Sequence, residues 1–236
     1  MKKQNLVATL RRELQAVAII RDAAKNNVAT FAAMSALKRF QSARMVITHA
    51  DLLASCESRA AAQFFLSDLY GVRDLTQRDA DIERIVPMME RLLPLPALQT
   101  ITEAIVLDAL SESLDAAMAS RLGERFTEED YVEAYRNVAG RIDRVRQIEH
   151  IQSVGNSLCD LVRTPLIGGT LTMMRGPAMM AKLSELHSFL ERGFTAFKGM
   201  KQPDVFVATI VARESAILEN LYSGRIRPFD LDGPAV

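Results

Sequence analysis

The apolar residues of this chain recur at intervals of three and four along most of its length, and almost nowhere at intervals of two. Leu6, Leu10, Leu14 and Val17 form the first of these stripes. Apolar residues at such intervals lie on one face of an α-helix, whereas a half-buried strand requires strict alternation. The pattern therefore predicts an all-α fold, a bundle-like domain of about eight or nine helices.

Local signals mark where some of these helices begin and end. Thr127 with Asp130 three residues later resembles an N-terminal capping box. Gly123 and Gly224 each follow the last apolar residue of a predicted helix, a position that glycine often occupies.

Two interior boundaries and one terminal segment are also predicted. The continuous apolar stripe over residues 131–161 predicts a single long helix, and Gly176 with Pro177 predicts the start of another, since proline is tolerated in a first turn. Because no Gly/Ser-rich or Pro-rich linker divides the chain, we expect one domain over residues 1–224. Residues 225–236 have no helical period, which predicts a flexible C-terminal tail.

The composition is that of a soluble globular protein, with 49% hydrophobic and 25% charged residues among 236. It excludes a disordered, collagen-like or disulfide-scaffold chain. The two cysteines, Cys56 and Cys159, suit a reducing compartment, so we expect a cytoplasmic protein. We expect no targeting segment and no membrane span, because charges interrupt the N-terminal helix and Arg175 splits the most apolar stretch.

The charges are unevenly distributed along the chain. Residues 1–50 have nine Lys and Arg against two Asp and Glu, a net charge of +7, and residues 51–120 have five against twelve, a net charge of −7. Asp108, Glu112 and Asp115 share one face of a predicted helix. They could coordinate a hard cation, but we favour a surface on which the basic N-terminal helices dock. No nucleic-acid partner is expected, since the basic residues lack interleaved aromatics and a Gly-rich phosphate loop.

No catalytic motif is recognised in the sequence, so no catalytic residue, cofactor or metal is predicted and enzymatic activity stays open. His187 and Glu191 are four residues apart on one helix face, but a metal site there would need ligands from other helices. His49 is expected to be a hydrogen-bonded residue at a helix end.

The densest polar stretch lies between residues 44 and 84 and supplies the candidate ligand-binding residues. Arg73 and Arg78 could act as bidentate donors to an anion or a carbonyl group. The alternative is an Arg–Asp network that locks a turn between helices. The candidates are Arg44, His49, Asp51, Tyr70, Arg73, Asp74 and Arg78.

Four of the eleven methionines fall within eight residues, at Met173, Met174, Met179 and Met180. Methionine adapts to irregular apolar surfaces, so this segment is a candidate contact site for a protein partner or an apolar ligand. The alternative is that these methionines belong to the core.

Two blocks of the sequence are similar to an uncharacterised family of helical proteobacterial proteins. The stretch FFLSDLYGVRDLTQRDADIERIVPMMERLLP resembles the family's FFLxDLYGxRD-like segment, and RTPLIGGTLTMMRGPAMMAKLSELHSFLERGFTAFKGM resembles its second recurring block. The resemblance covers about residues 40–224. It implies a bacterial helical protein and no mechanism, because the family has no assigned activity.

Two classes of function remain. One is a non-catalytic helical interaction or scaffold protein of the bacterial cytoplasm, self-associating as a homodimer or other homo-oligomer. The other is a helical ligand-binding protein or enzyme with a polar pocket around Arg44, His49, Tyr70, Arg73 and Asp74.

Overall fold

The structure is a computed structural model that describes residues 3–69, 81, 83–87, 89–90, 93–165, 167–180 and 184–231. None of these residues lies in a β-strand, and the all-α single domain is confirmed. The described stretches between residues 81 and 90 are helical, and a π-helical segment, Phe64–Leu69, follows α4 directly. The labelled helices are α1 (Lys3–Lys25), α2 (Val28–Thr48), α3 (Ala50–Ala54), α4 (Arg59–Gln63), α5 (Leu95–Leu122), α6 (Glu128–Val138), α7 (Arg141–Arg163), α8 (Ile167–Met180), α9 (Ser184–Lys198) and α10 (Pro203–Ser223).

The long helix α5 lies at the centre of the bundle. It packs against α1, α2, α6 and α7, and α10 packs against α7. Leu6, Leu10 and Leu14 of the predicted α1 stripe are buried against Leu98 and Ile105 of α5. The three-and-four spacing therefore identified the face of α1 that joins the core.

Three of the predicted helix ends, at Gly123, Thr127 and Gly224, are confirmed. Thr127 Oγ1 accepts a hydrogen bond from the Asp130 backbone N–H at 3.2 Å, and the Asp130 side chain accepts one from the Thr127 N–H at 2.8 Å. Gly123 and Gly224 follow the last residues of α5 and α10 with φ of +68° and +86°. Both φ values lie in the region that favours glycine.

The single long helix predicted over residues 131–161 is wrong. The helix is interrupted between α6 and α7, where Ala139 and Gly140 adopt extended backbone conformations. The break frees backbone carbonyl groups, and the Tyr222 hydroxyl of α10 donates a hydrogen bond to the Ala139 carbonyl at 3.1 Å. A contact from a distant helix thus helps to stabilise a turn that the local apolar pattern does not reveal.

The predicted helix start at Gly176 and Pro177 is also wrong. Helix α8 begins at Ile167 and continues through both residues to Met180. It packs chiefly against α9, so it forms an outer layer of the molecule. Within the described ranges, none of the helices combines the length and apolarity that a membrane crossing requires.

Residues 225–231 lie against the bundle after α10. The Phe229 ring contacts the rings of Phe40 and Tyr131, with centroids 6.3 and 6.0 Å away. Pro228 is buried, and its carbonyl accepts a hydrogen bond from Asn220 Nδ2 at 3.0 Å. The predicted flexible tail extends to residue 236, and residues 232–236 lie outside the described part of the chain.

Candidate functional site

The acidic face of α5 binds the basic N-terminal helices, as the charge distribution predicted. Arg21 Nη2 of α1 lies 3.0 Å from Asp108 Oδ1 and 2.8 Å from Glu112 Oε1. Lys38 Nζ of α2 donates to the same Glu112 oxygen at 2.6 Å. Burial alone would raise the pKa of Glu112, but the charges of Lys38 and Arg21 outweigh it and lower the pKa.

A second buried ionic cluster joins the end of α2 to the middle of α10. Arg44 Nη1 lies 2.5 and 2.8 Å from the two carboxylate oxygens of Glu214, and His49 Nε2 lies 3.1 Å from Oε1. His49 follows the last residue of α2 and is only 2% exposed. It is hydrogen-bonded at a helix end, as predicted.

The Glu214 carboxylate is held in its ionised form. Burial alone would raise its pKa, but the charge of Arg44 and the hydrogen bonds from His49 and Arg44 lower the pKa to about 2. An ionised carboxylate accepts hydrogen bonds only, so the Nε2 atom of His49 must carry the proton in this contact.

A third buried cation, Arg144 of α7, lies in the core with no carboxylate partner among the described residues. It is 2% exposed, and no carboxylate oxygen of the described residues lies within 4.0 Å of its nitrogen atoms. Its guanidinium carbon lies 4.2 Å from the centroid of the Tyr135 ring. Its Nη1 donates to Gln147 Oε1 at 3.3 Å, and its Nη2 lies 2.8 Å from Met118 Sδ, a weak acceptor.

Asp115 is a buried carboxyl group whose electrostatics involve Arg144. Burial raises its pKa, against a hydrogen bond from Gln41 and the charges of Lys38 and Arg144. Gln41 Nε2 donates to Asp115 Oδ1 at 2.9 Å. Within the described residues, four buried side-chain atoms lack a hydrogen-bond partner: Arg44 Nε, His49 Nδ1, Glu112 Oε2 and Arg144 Nε.

The structure brings together only part of the predicted ligand site. Arg44 and His49 meet at Glu214, whereas Asp51 lies at the surface and pairs with Arg213 at 2.6 and 2.8 Å. That hydrogen-bonded pair lowers the pKa of Asp51 to about 2. The remaining predicted site residues, Tyr70, Arg73, Asp74 and Arg78, lie outside the described residues.

Glu214 and Arg144 were not predicted, although the sequence contains a signal for each. Glu214 lies four residues after Ile210 and three before Ile217, so it shares the buried face of α10. Arg144 similarly lies four residues before Ile148 on α7. A charged residue on an apolar stripe indicates a buried charge that requires compensation.

The methionine segment lies on the outer side of α8. The side chains of Met173, Met179 and Met180 are 81%, 65% and 89% exposed. Met174 belongs to the same helix, but its side chain is outside the described part of the structure. Arg175 is the one charged residue within α8, and it pairs with Glu191 of α9.

His187 and Glu191 connect α8 to α9 rather than forming a described metal site. His187 is buried, and its Nε2 lies 2.7 Å from the Leu171 carbonyl oxygen. Its Nδ1 lies 4.0 Å from Glu191 Oε2. Across the described ranges, no group of three or more His, Cys, Asp or Glu side chains is placed to hold a metal ion.

The fold and this core define an all-helical domain built around buried ion pairs. Residues 20–228 match the family model described as a domain of unknown function, DUF8198, and the chain belongs to that family. The match spans the sequence blocks that carried the resemblance to an uncharacterised family. No curated protein and no solved structure matches the chain.

Proposed function

We propose that this protein is a non-catalytic helical interaction protein and that the outer face of α8 is its contact surface. The observation that carries the proposal is the exposure of Met173, Met179 and Met180 on one short helix. Contiguous exposed apolar side chains are characteristic of interaction sites, and methionine is over-used on them because its flexible thioether adapts to a partner.

The electrostatics of α8 support a protein contact. Arg175 is the one charged residue of the helix, and its charge is already paired with Glu191 of α9. A partner that covers Met173 and Met180 therefore desolvates no unpaired charge of α8, and depletion of charge is typical of the centre of an interface.

The test is site-specific photo-crosslinking of the full chain in its source cells. A photoreactive amino acid at position 173 should give a discrete product that mass spectrometry identifies. The same amino acid at position 142 is the control, because Ile142 is 75% exposed on a different helix, α7. The same yield and products at both positions, or no product at 173, would overturn the proposal.

We also propose the bacterial cytoplasm as the site of action. The resemblance to a proteobacterial family and the small number of cysteines support this location. Cys56 and Cys159 are both free thiols.

A second candidate function, ligand binding in the core, is favoured by Arg144. A buried guanidinium without a carboxylate is costly unless another group compensates its charge. A small carboxylate or phosphate that reached Arg144 would supply that charge, and Arg144 Nε has no hydrogen-bond partner among the described residues. In this case the ligand would bind inside the bundle and not in the predicted pocket around Tyr70 and Arg73.

Thermal unfolding with inorganic phosphate or acetate tests the second candidate. Ligand binding predicts a concentration-dependent rise in Tm for the wild-type protein and none for Arg144→Met. The replacement preserves the apolar stem, so the variant is expected to fold, and its own Tm without ligand is the reference for its shifts. Equal shifts for both proteins, or none for the wild type, would exclude this site.

A further inference from the structure

Two glycines of α8 have no explanation within the described molecule. A glycine inside a helix costs roughly 0.5–1 kcal/mol relative to alanine, so it usually serves a close approach. At Gly155 of α7 a Cβ atom would lie 2.6 Å from a Val207 methyl group, and at Gly193 of α9 it would lie 2.7 Å from the Phe64 ring. At Gly169 and Gly176 no described atom, other than those of the adjacent residues and of the backbone of α8 itself, lies within 4 Å of the Cβ position.

These two glycines alternate with two of the exposed methionines, Met173 and Met180. The order is Gly169, Met173, Gly176, Met180, with spacings of four, three and four residues. Such spacings keep all four residues within an arc of about 60° on the helix surface. The methionines are 81% and 89% exposed, so the outer face of α8 has two protruding side chains and two gaps.

We propose that α8 binds the α8 of a second copy of this chain in antiparallel orientation. This inference rests on the proposed use of α8 as a contact surface. In that orientation one register places Met173 opposite Gly176 of the partner subunit and Met180 opposite Gly169 of the partner subunit. Met173 and Met180 then each fill a glycine gap, so the face is complementary to itself. A two-fold axis requires this kind of self-complementary surface.

Charge also favours a second copy over a membrane surface. A charged residue close to a two-fold axis would repel its own equivalent, and none of Gly169, Met173, Gly176 and Met180 is charged. Helices that lie on membranes have a polar face rich in Lys and Arg. The single charged residue of α8, Arg175, is paired with Glu191.

The size of the surface determines the strength of the expected dimer. Stable interfaces bury about 800 Å² per partner, and one face of a 14-residue helix is smaller than that. The dimer should therefore be weak and reversible, forming at high concentration and dissociating on dilution. Subunits of two variants should exchange when the variants are mixed.

The register is tested by crosslinking two variants with one exposed cysteine each, Gly169→Cys and Met180→Cys, in a Cys56→Ser background, since Cys56 is exposed and Cys159 is buried. The two positions are opposite each other in the antiparallel pair, whereas equivalent positions are about 16 Å apart along the axis. A bis-maleimide shorter than that separation should crosslink the mixture and neither variant alone. Products from either variant alone would indicate a parallel pair, and they would overturn the proposal, as would no product from the mixture.

Sedimentation over a range of concentrations provides the second measurement. Gly176→Leu should weaken the dimer about ten-fold or more, because the new side chain occupies the gap that receives a methionine. The monomer should keep its fold, because the position is open in the described structure. The control Ile142→Gln should leave the dimer unchanged. An unchanged dimer for Gly176→Leu would overturn the proposal.

The two proposals fail in different ways. If position 173 crosslinks in cells to a different protein, and the purified chain stays monomeric, the contact surface is retained and self-association is excluded. If position 173 forms no product in cells, the contact surface itself is excluded.

Discussion

Glu214 determines how the end of α2 is held in the bundle. Its carboxylate binds both Arg44 and His49, and both are largely or fully buried. Removing one member of a buried ion pair is far more damaging than replacing the pair, because the remaining charge keeps its desolvation cost without compensation. The adjacent residue Arg213 binds Asp51 at the surface, so two consecutive residues of α10 hold the corner between α2 and α3.

We expect Glu214→Gln to lower the free energy of unfolding by about 3 kcal/mol, because it leaves the buried Arg44 charge without a counter-charge. Urea denaturation measures this loss. Glu219→Gln on the same helix is the matched control, since Glu219 is 60% exposed and pairs with Arg141 at the surface. Its effect should be below about 1 kcal/mol. Equal losses of unfolding free energy for the two variants would show that the buried pair stabilises the fold no more than the surface pair.

The pH dependence of stability should identify the same carboxylate. Glu214 has a pKa of about 2 in the folded protein, below its ordinary value of 4.5. Because the folded-state pKa is lowered, its stabilisation is present above pH 4.5 and disappears as the pH falls toward 2. The difference in unfolding free energy between wild type and Glu214→Gln should therefore shrink across that window. A constant difference would contradict the assignment.

The sequence identified two residues of the buried ionic cluster, Arg44 and His49, but not the third, Glu214. Arg44 and His49 were selected for the polar density around them, but their partner is about 170 residues away and no local pattern connects it to them. The charge on the apolar stripe of α10 indicates that Glu214 is buried. It does not indicate which cation binds it, because that depends on how the helices cross.

The glycines within helices are of two kinds. Some allow close packing inside the subunit, and others lie on the surface that is proposed to pack between subunits. Gly155 lies where α7 approaches Val207 of α10, and a stiff, buried valine cannot easily move aside. Gly169 and Gly176 have open space instead. An added methyl group is therefore expected to clash at Gly155 of α7 and to be accommodated at Gly169 and Gly176 of α8.

We expect Gly155→Ala to destabilise the fold by about 1–3 kcal/mol through overpacking. Gly169→Ala, in the first turn of α8, should stabilise it by up to about 0.5 kcal/mol, because alanine is a better helix former and meets no clash there. Thermal unfolding at concentrations where the chain is monomeric measures both. Destabilisation by Gly169→Ala under those conditions would mean that its Cβ position is occupied within the subunit.

Helix periodicity predicted most elements, and the two errors have identifiable physical causes. The apolar stripe continues across Ala139 and Gly140, so nothing local shows that these residues become extended and that Tyr222 binds the exposed carbonyl. In α8 the Gly176-Pro177 pair favours a helix start by local preference alone. Packing against α9 overrides that preference and keeps the helix continuous.

Across the whole molecule, the C-terminal segment connects distant parts of the bundle. Phe229 contacts Phe40 of α2 and Tyr131 of α6, and Pro228 is buried beside it. The lack of helical period in residues 225–236 predicted flexibility. A single aromatic residue in a non-periodic segment can still pack on the core, and local pattern does not report such a contact.

We expect Phe229→Ala to lower the free energy of unfolding by about 1–2 kcal/mol, since a half-buried ring loses its apolar contacts. Ile226→Ala is the matched control, because Ile226 is 96% exposed in the same segment and its loss should have little effect. Chemical denaturation of both variants makes the comparison. Equal stabilities would mean that residues 225–231 contribute nothing to the bundle.

The charge balance was the most successful long-range prediction. The +7 of residues 1–50 and the −7 of residues 51–120 predicted that α1 and α2 dock on an acidic helix, and Arg21 and Lys38 do so on α5. Opposite net charges of two segments predict that the segments attract each other. They do not predict individual pairs, and the burial of Arg144 was therefore not foreseen.

The long sequence separation between Arg44 and Glu214 also sets an order of events during translation. These residues are 170 positions apart, so α1 and α2 have left the ribosome well before their counter-charge is synthesised. Until then Arg44 and His49 stay hydrated, because burying them uncompensated is unfavourable. A chain that terminates early never closes this contact, which leaves its N-terminal helices open to the proteases that remove incomplete products.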